Sequence, residues 1–285
     1  MRALAQIPES EASAGVKEIY DDMRRVMRVP LVNLIYRHMA TMPGALPWVW
    51  SVIRPLVLSG AIQESAGRMV AALEVPALTA MTDEELRSAR LDAEAEERAR
   101  RVIAAYNRGN TFNLISLTTL RLALDGDPIA EEPRPAEPAP PFEPPEIPPI
   151  REAADLDEGT AARLDTIARL HHGGGALPSF YLHLANWPGF LAVVCDHLEP
   201  PLRDGRISRA RDAARRLARD EAVSLAPLLT ATAPTPTAYL PALREALDTF
   251  ADHLIPEMVP VGLAVARAMP NPARGGQPHD SRHVP

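Results

Sequence analysis

The segment Asn107-Arg-Gly-Asn110 places two amide side chains, each a donor and an acceptor, three residues apart. Such a group can fix a water molecule or a carboxylate. The same residues also suit capping. Gly109 can take a left-handed conformation where the charged stretch before it ends, and Asn110 can cap the apolar stretch that follows. Ser179 and His183 are four residues apart, so on a helix they share a face, as a nucleophile and its base would. An imidazole, with a pKa near 6.5, is a competent base at neutral pH. His171-His172-Gly-Gly-Gly175 adds glycines whose N–H groups can face an anion, although a plain loop after a helix end uses the same residues. His253 and Glu257 have the i, i+4 spacing of metal ligands, but Pro256 lies between them and no further ligand follows, so no metal is expected. Cys195 falls on an apolar face and reads as core.

These residues must be positioned by helices. Ala, Leu, Arg and Glu dominate, aromatics are 5%, and alternating Val/Ile runs are absent, so the fold is expected to be all-α. Val16, Ile19, Tyr20, Met23 and Met27 recur at the spacing of an amphipathic helix, which Pro30 ends. Thr82 with Glu85 is a capping-box pattern opening a charged helix expected to run to Asn107. A long final helix is expected over residues 237–269, broken near Pro256 and Pro260.

The chain also repeats itself. Tyr36-Arg-His-Met-Ala-Thr-Met-Pro-Gly44 returns as Tyr181-Leu-His-Leu-Ala-Asn-Trp-Pro-Gly189, and the register holds through Ile62 and Ile207 with about ten identities in 27 positions. Two helical repeats, 1–126 and 151–269, are expected to pack as a pseudo-symmetric intramolecular pair. Residues 127–150 carry ten prolines and form a semi-rigid linker, and 270–285 form a disordered tail. Repetition of His38 at His183, and of Pro43-Gly44 at Pro188-Gly189, points to structural roles for these positions.

The ordered set Ile19-Tyr-Asp-Asp-Met-Arg-Arg-Val-Met-Arg-Val-Pro30, Ala40-Thr-Met-Pro-Gly44, Ala105-Tyr-Asn-Arg-Gly-Asn110 and Leu184-Ala-Asn-Trp-Pro188 resembles the group I 2-haloacid dehalogenase family. The resemblance covers nearly the whole chain apart from linker and tail. It implies an all-helical pseudo-dimer with the site between the repeats, often assembled as a true homodimer. It also implies cofactor-independent hydrolysis of a 2-haloacid. In that chemistry an aspartate activates a water that displaces the halide directly, and an asparagine helps hold the water. The asparagine falls on Asn110. The aspartate position falls on Phe180, or on Ser179 with one insertion, and no Asp or Glu occurs from Thr166 to Cys195. A serine hydroxyl is almost un-ionised at neutral pH and does not replace a carboxylate as base. His183 is the candidate stand-in, and Leu31 and Leu34 are candidate substrate walls. The alternatives are a non-catalytic relative that binds a small carboxylic acid, or a structural or dimerisation module.

The bulk properties agree with a small-molecule partner. The net charge of −7 argues against nucleic acid or an anionic membrane, both of which need a basic face. No apolar run reaches the ~18 residues of a membrane span, and the single cysteine suits a reducing compartment, so a cytoplasmic location is expected.

Overall fold

A computed structural model describes residues 4–126, 129–132, 137–171 and 177–270. The glycine segment 172–175 and the expected tail beyond residue 270 lie outside them. The chain opens with α1 (Ala14–Met27), α2 (Leu34–Met39), α3 (Ala45–Leu58) and α4 (Ala61–Ala72), then α5 (Asp83–Ser88) and α6 (Ala93–Asp125). After the proline-rich stretch come α7 (Glu158–Leu170), α8 (Ser179–Leu184), α9 (Pro188–Arg203) and α10 (Arg206–Leu225). The last helices are α11 (Leu240–Leu247), a π-helical stretch (Asp248–Leu254) and α12 (Ile255–Ala268). One two-residue parallel pairing, β1 (Ala130–Glu131) with β2 (Thr230–Ala231), is the sheet content among the described residues.

Local chemistry accounts for the boundaries. The α1 stripe buries Tyr20, Met23, Val26 and Met27, and Arg28 closes the helix in the left-handed region at φ 55°. Thr82 and Glu85 form the expected capping box on α5. That helix is short, however. Arg90 turns left-handed at φ 57°, and Asp92 then caps α6 by accepting from the Ala95 N–H. The first three turns of α6 carry Glu–Arg pairs four residues apart (94/98, 96/100, 97/101), which support a helix that is still solvent-facing on one side. The final helix is not broken at Pro256 or Pro260 but runs on from α11 through the π-helical stretch into α12. The π-helical stretch comes immediately before α12, whose first turn holds Pro256 and whose interior holds Pro260.

Two hydrophobic cores result, and neither belongs to one half of the sequence. The first joins α1–α4 to the C-terminal half of α6 (Phe112, Leu114, Ile115, Leu117, Leu120), to Ala214 and Ala218 of α10, and to α11. The second joins α7–α9 to the N-terminal half of α6 (Ala99, Val102, Ile103, Tyr106), to α5 and to the end of α12. At 33 residues, or about 50 Å, α6 is long enough to serve both. Leu31, from the first half, packs in the second core.

The repeated motif does equivalent work twice. The His38 ring meets the Ala5 carbonyl at 2.7 Å, and the His183 ring meets the Pro148 carbonyl at 2.7 Å. Beside them the Ile7 N–H donates to the Arg37 carbonyl, and the Arg151 N–H to the Leu182 carbonyl. Each histidine therefore straps the extended segment that precedes its helices. The glycines differ. Gly44 holds φ +80° ahead of α3, whereas Gly189 lies inside α9, where a Cβ would stand 2.4 Å from the Ala89 carbonyl oxygen. One glycine is needed for its dihedral angle and the other for a close backbone approach.

Candidate active-site cavity

Three residues on one face of α6, Tyr106, Asn110 and Asn113, line a cavity of 60 Å³. Their i, i+4, i+7 spacing is what aligns them. Asn33 and Leu34 close it from the start of α2, and Leu177, Pro178, Ser179 and Phe180 from the start of α8. Phe250 and Leu254 of the π-helical stretch, with Ile255 and Met258 of α12, complete an apolar wall. A single water needs at least ~10–15 Å³ by the same kind of measure, so the space suits a few waters or a small organic acid.

Asn107, Gly109 and Asn110 are not caps. α6 runs unbroken from Ala93 to Asp125 through all of them. Tertiary packing supplies the reasons for each. Asn107 donates from Nδ2 to the Gly262 carbonyl at 3.1 Å and fastens α6 to α12. A Cβ on Gly109 would stand 2.9 Å from Asn33 Oδ1, so glycine lets the Asn33 amide lie against α6. Asn110 then faces the cavity one position further on.

The polar groups around the space are poorly satisfied by the protein itself. The side-chain amides of Asn33 and Asn110 are buried and bond to no other described residue. Asn113 accepts from the Tyr36 hydroxyl at 2.9 Å, which leaves its Nδ2 buried without a partner. The Tyr106 hydroxyl is likewise buried and unpartnered. Burial holds its pKa well above the ordinary phenol value, although the Arg37 charge nearby pulls it down, so it stays a neutral donor. Unmet buried donors are costly in a closed core. Asn33, Asn110 and Ser179 bring two amides and a hydroxyl to one small space whose opposite wall is apolar, while the Tyr106 hydroxyl and Asn113 Nδ2 are enclosed by protein. Neutral donors arranged in this way can receive a carboxylate while the apolar wall receives a carbon–halogen or alkyl group.

Among the described lining residues there is no aspartate, glutamate or histidine. Ser179 and Phe180, at the position where the resemblance implied an aspartate, do face Asn110 across the cavity. His183 is not in the lining. Its Nε2 donates to the Pro148 carbonyl, and its ring stands edge-on to Tyr106 at 5.7 Å. Burial lowers its pKa and keeps it neutral, and its Nδ1 is enclosed without a partner. Leu34 reaches the cavity and Leu31 does not. Glu257 and His253 do not converge: the Glu257 carboxylate is buried against His171 Nδ1 at 3.3 Å, and His171 Nε2 meets the Tyr181 hydroxyl at 2.8 Å. Among the described residues no group of three His, Cys, Asp or Glu is placed to hold a metal ion. Sequence reasoning missed Asn33, Asn113, Tyr106 and the wall from Phe250 to Met258. The α6 periodicity from Asn110 pointed to Tyr106 and Asn113, but no local signal marked the rest.

The chain is all-helical, with the fold of the D-2-haloacid dehalogenases. Superposition on the structure of a D-2-haloacid dehalogenase mutant gives a TM-score of 0.70 at 18% identity, covering 93% of this chain and 96% of that one. A D-2-haloacid dehalogenase mutant in complex with D-2-CPA gives 0.63 at 19% identity, covering 93% and 94%. In sequence, the resemblance to the 2-haloacid dehalogenase family holds along most of the chain. It is 27% identical over 252 residues to a configuration-inverting 2-haloacid dehalogenase of Alcaligenes xylosoxydans xylosoxydans, covering 82% of this chain and 84% of that protein. No family model matches the chain.

Proposed function

We propose that this chain binds a small 2-substituted carboxylic acid in the cavity between α6 and α8, and that it does so without the aspartate-driven hydrolysis that the family resemblance implies. The observation that carries this reading is the pairing across one small cavity: unbonded amides of Asn33 and Asn110 on one side, Ser179 and Phe180 on the other, and no ionisable base among the described residues between them. Inverting displacement of a halide needs a group that takes a proton from water as it attacks. The amides, the phenol held neutral by burial and the serine hydroxyl do not supply one. The amides of Asn33 and Asn110 and the Ser179 hydroxyl do supply donors for a carboxylate, with Asn110 as the central anchor and Leu34, Phe180 and Phe250 setting the size of the 2-substituent.

Chloride release from D- and L-2-chloropropionate tests the reading, measured beside Asn110→Ala, Ser179→Asp and Phe180→Asp. The expected result is no release by the wild type, thermal stabilisation by 2-chloropropionate that Asn110→Ala abolishes, and release restored by one of the Asp variants. Release by the wild type that disappears in Asn110→Ala would show an active hydrolase with a different base. Absence of ligand stabilisation would favour a structural module.

A further inference from the structure

A second concavity lies on the opposite side of the π-helical stretch. It is an open groove of about 570 Å³ between α6, α10 and that stretch. Its walls carry five arginines, Arg121 of α6 and Arg211, Arg215, Arg216 and Arg219 of α10, against three aspartates, Asp125, Asp212 and Asp252. In a chain of net charge −7 this is a local excess of two positive charges.

On α10 Asp212 stands four residues before Arg216 but pairs with Arg211 instead, and the other arginines lack an acid at that spacing. On α6, α7 and α9 an acid stands four residues before the arginine and pairs with it, as in Glu96–Arg100, Asp165–Arg169 and Glu199–Arg203. On α10 the residue four before Arg215 is Arg211, and the residue four before Arg219 is Arg215. Like charges at this spacing repel and disfavour the helix. Arg211 is offset by Asp212 at 2.9 Å and Arg215 by Asp252 at 3.2 Å. Arg216 and Arg219 form no ion pair or hydrogen bond with any described residue, and both are exposed. Nine residues of helix carry the row Arg211, Arg215, Arg219 over about 12 Å. That length suits an extended anion better than a single carboxylate or phosphate, and guanidinium groups bind phosphate oxygens in a bidentate fashion.

We propose that this groove is a binding site for a linear polyphosphate group, of the kind carried by a triphosphate, with Arg216 and Arg219 as its principal contacts. The proposal is independent of what occupies the cavity. Calorimetric titration of the full chain with sodium tripolyphosphate, beside sodium sulfate at matched ionic strength, tests it. One site per chain is expected, about tenfold or more tighter for tripolyphosphate, and weakening as salt rises. In Arg216→Gln/Arg219→Gln the tripolyphosphate affinity is expected to fall about tenfold, with an unchanged melting temperature because both side chains are exposed and unpaired. Tripolyphosphate binding no tighter than sulfate would overturn the proposal, as would unchanged affinity in a folded double variant.

Discussion

Gly109→Ala separates the stability of α6 from the function of the cavity. The position is in the interior of a 33-residue helix, where alanine is favoured over glycine by about 0.5–1 kcal/mol. Against this, the new Cβ meets Asn33 Oδ1 at 2.9 Å, Nδ2 at 3.2 Å and Cγ at 3.4 Å. Those atoms are the end of a side chain with no hydrogen bond to another described residue, so the amide swings aside and leaves no broken bond behind. The net change in stability is then about 0 to +1 kcal/mol, or about 0 to +4 °C in melting temperature for a chain of this size. The displaced amide no longer donates to a bound carboxylate. Losing one hydrogen bond to a charged group costs about 1.5–3 kcal/mol, so 2-chloropropionate should bind roughly 10- to 150-fold more weakly. Differential scanning fluorimetry and calorimetry on the same preparation read the two effects. A melting temperature lowered by several degrees would show that the Asn33 amide is not free to move. Unchanged affinity in a stable variant would remove Asn33 from ligand recognition.

Other consequences follow from the packing. Gly189→Ala drives a Cβ to 2.4 Å from the Ala89 carbonyl oxygen, and because backbone cannot swing aside the cost should reach about 1–3 kcal/mol or more, seen as a lower denaturation midpoint; an unchanged midpoint would refute the close approach of α9 to the α5–α6 turn. Glu85 has its pKa pulled down to about 2 by hydrogen bonds from the Thr82 N–H and hydroxyl and from His197. Its contribution is therefore fully present above the unfolded carboxylate value near 4.3 and is lost as pH falls through about 2. Glu85→Gln should flatten the stability profile across that window, and an unaltered profile would contradict the capping-box assignment. Burial pushes the Cys195 thiol up to about 12, so the native protein should resist iodoacetamide at pH 8 and react once unfolded, read by intact mass; rapid native labelling would show that the second core is open there.

Much of the helical scaffold was legible in the sequence because its causes are local. The α1 stripe and the Thr82–Glu85 capping box each depend on neighbours a few residues away. The repeat pointed to a shared structural role for His38 and His183, and in the fold each ring meets the carbonyl of the segment preceding its helices. Local reasoning failed at Asn107–Asn110, where every residue was a plausible cap. Glycine and asparagine are also what a continuous helix needs when another chain segment presses against it, and that pressure comes from Asn33 and Gly262, more than 70 residues away in either direction.

The sequence by itself therefore determined an all-helical chain, the asparagine at 110 and the absence of an acid at 179 and 180. All three are properties of residue type and short spacing. Only the tertiary structure decided that Asn110 and Ser179 share one cavity, that Asn33, Asn113 and Tyr106 join them, and that His183 is committed to the Pro148 carbonyl. Those facts depend on how α6 crosses between two cores drawn from both halves, and side-chain convergence across such distances leaves no periodicity in the chain to be read.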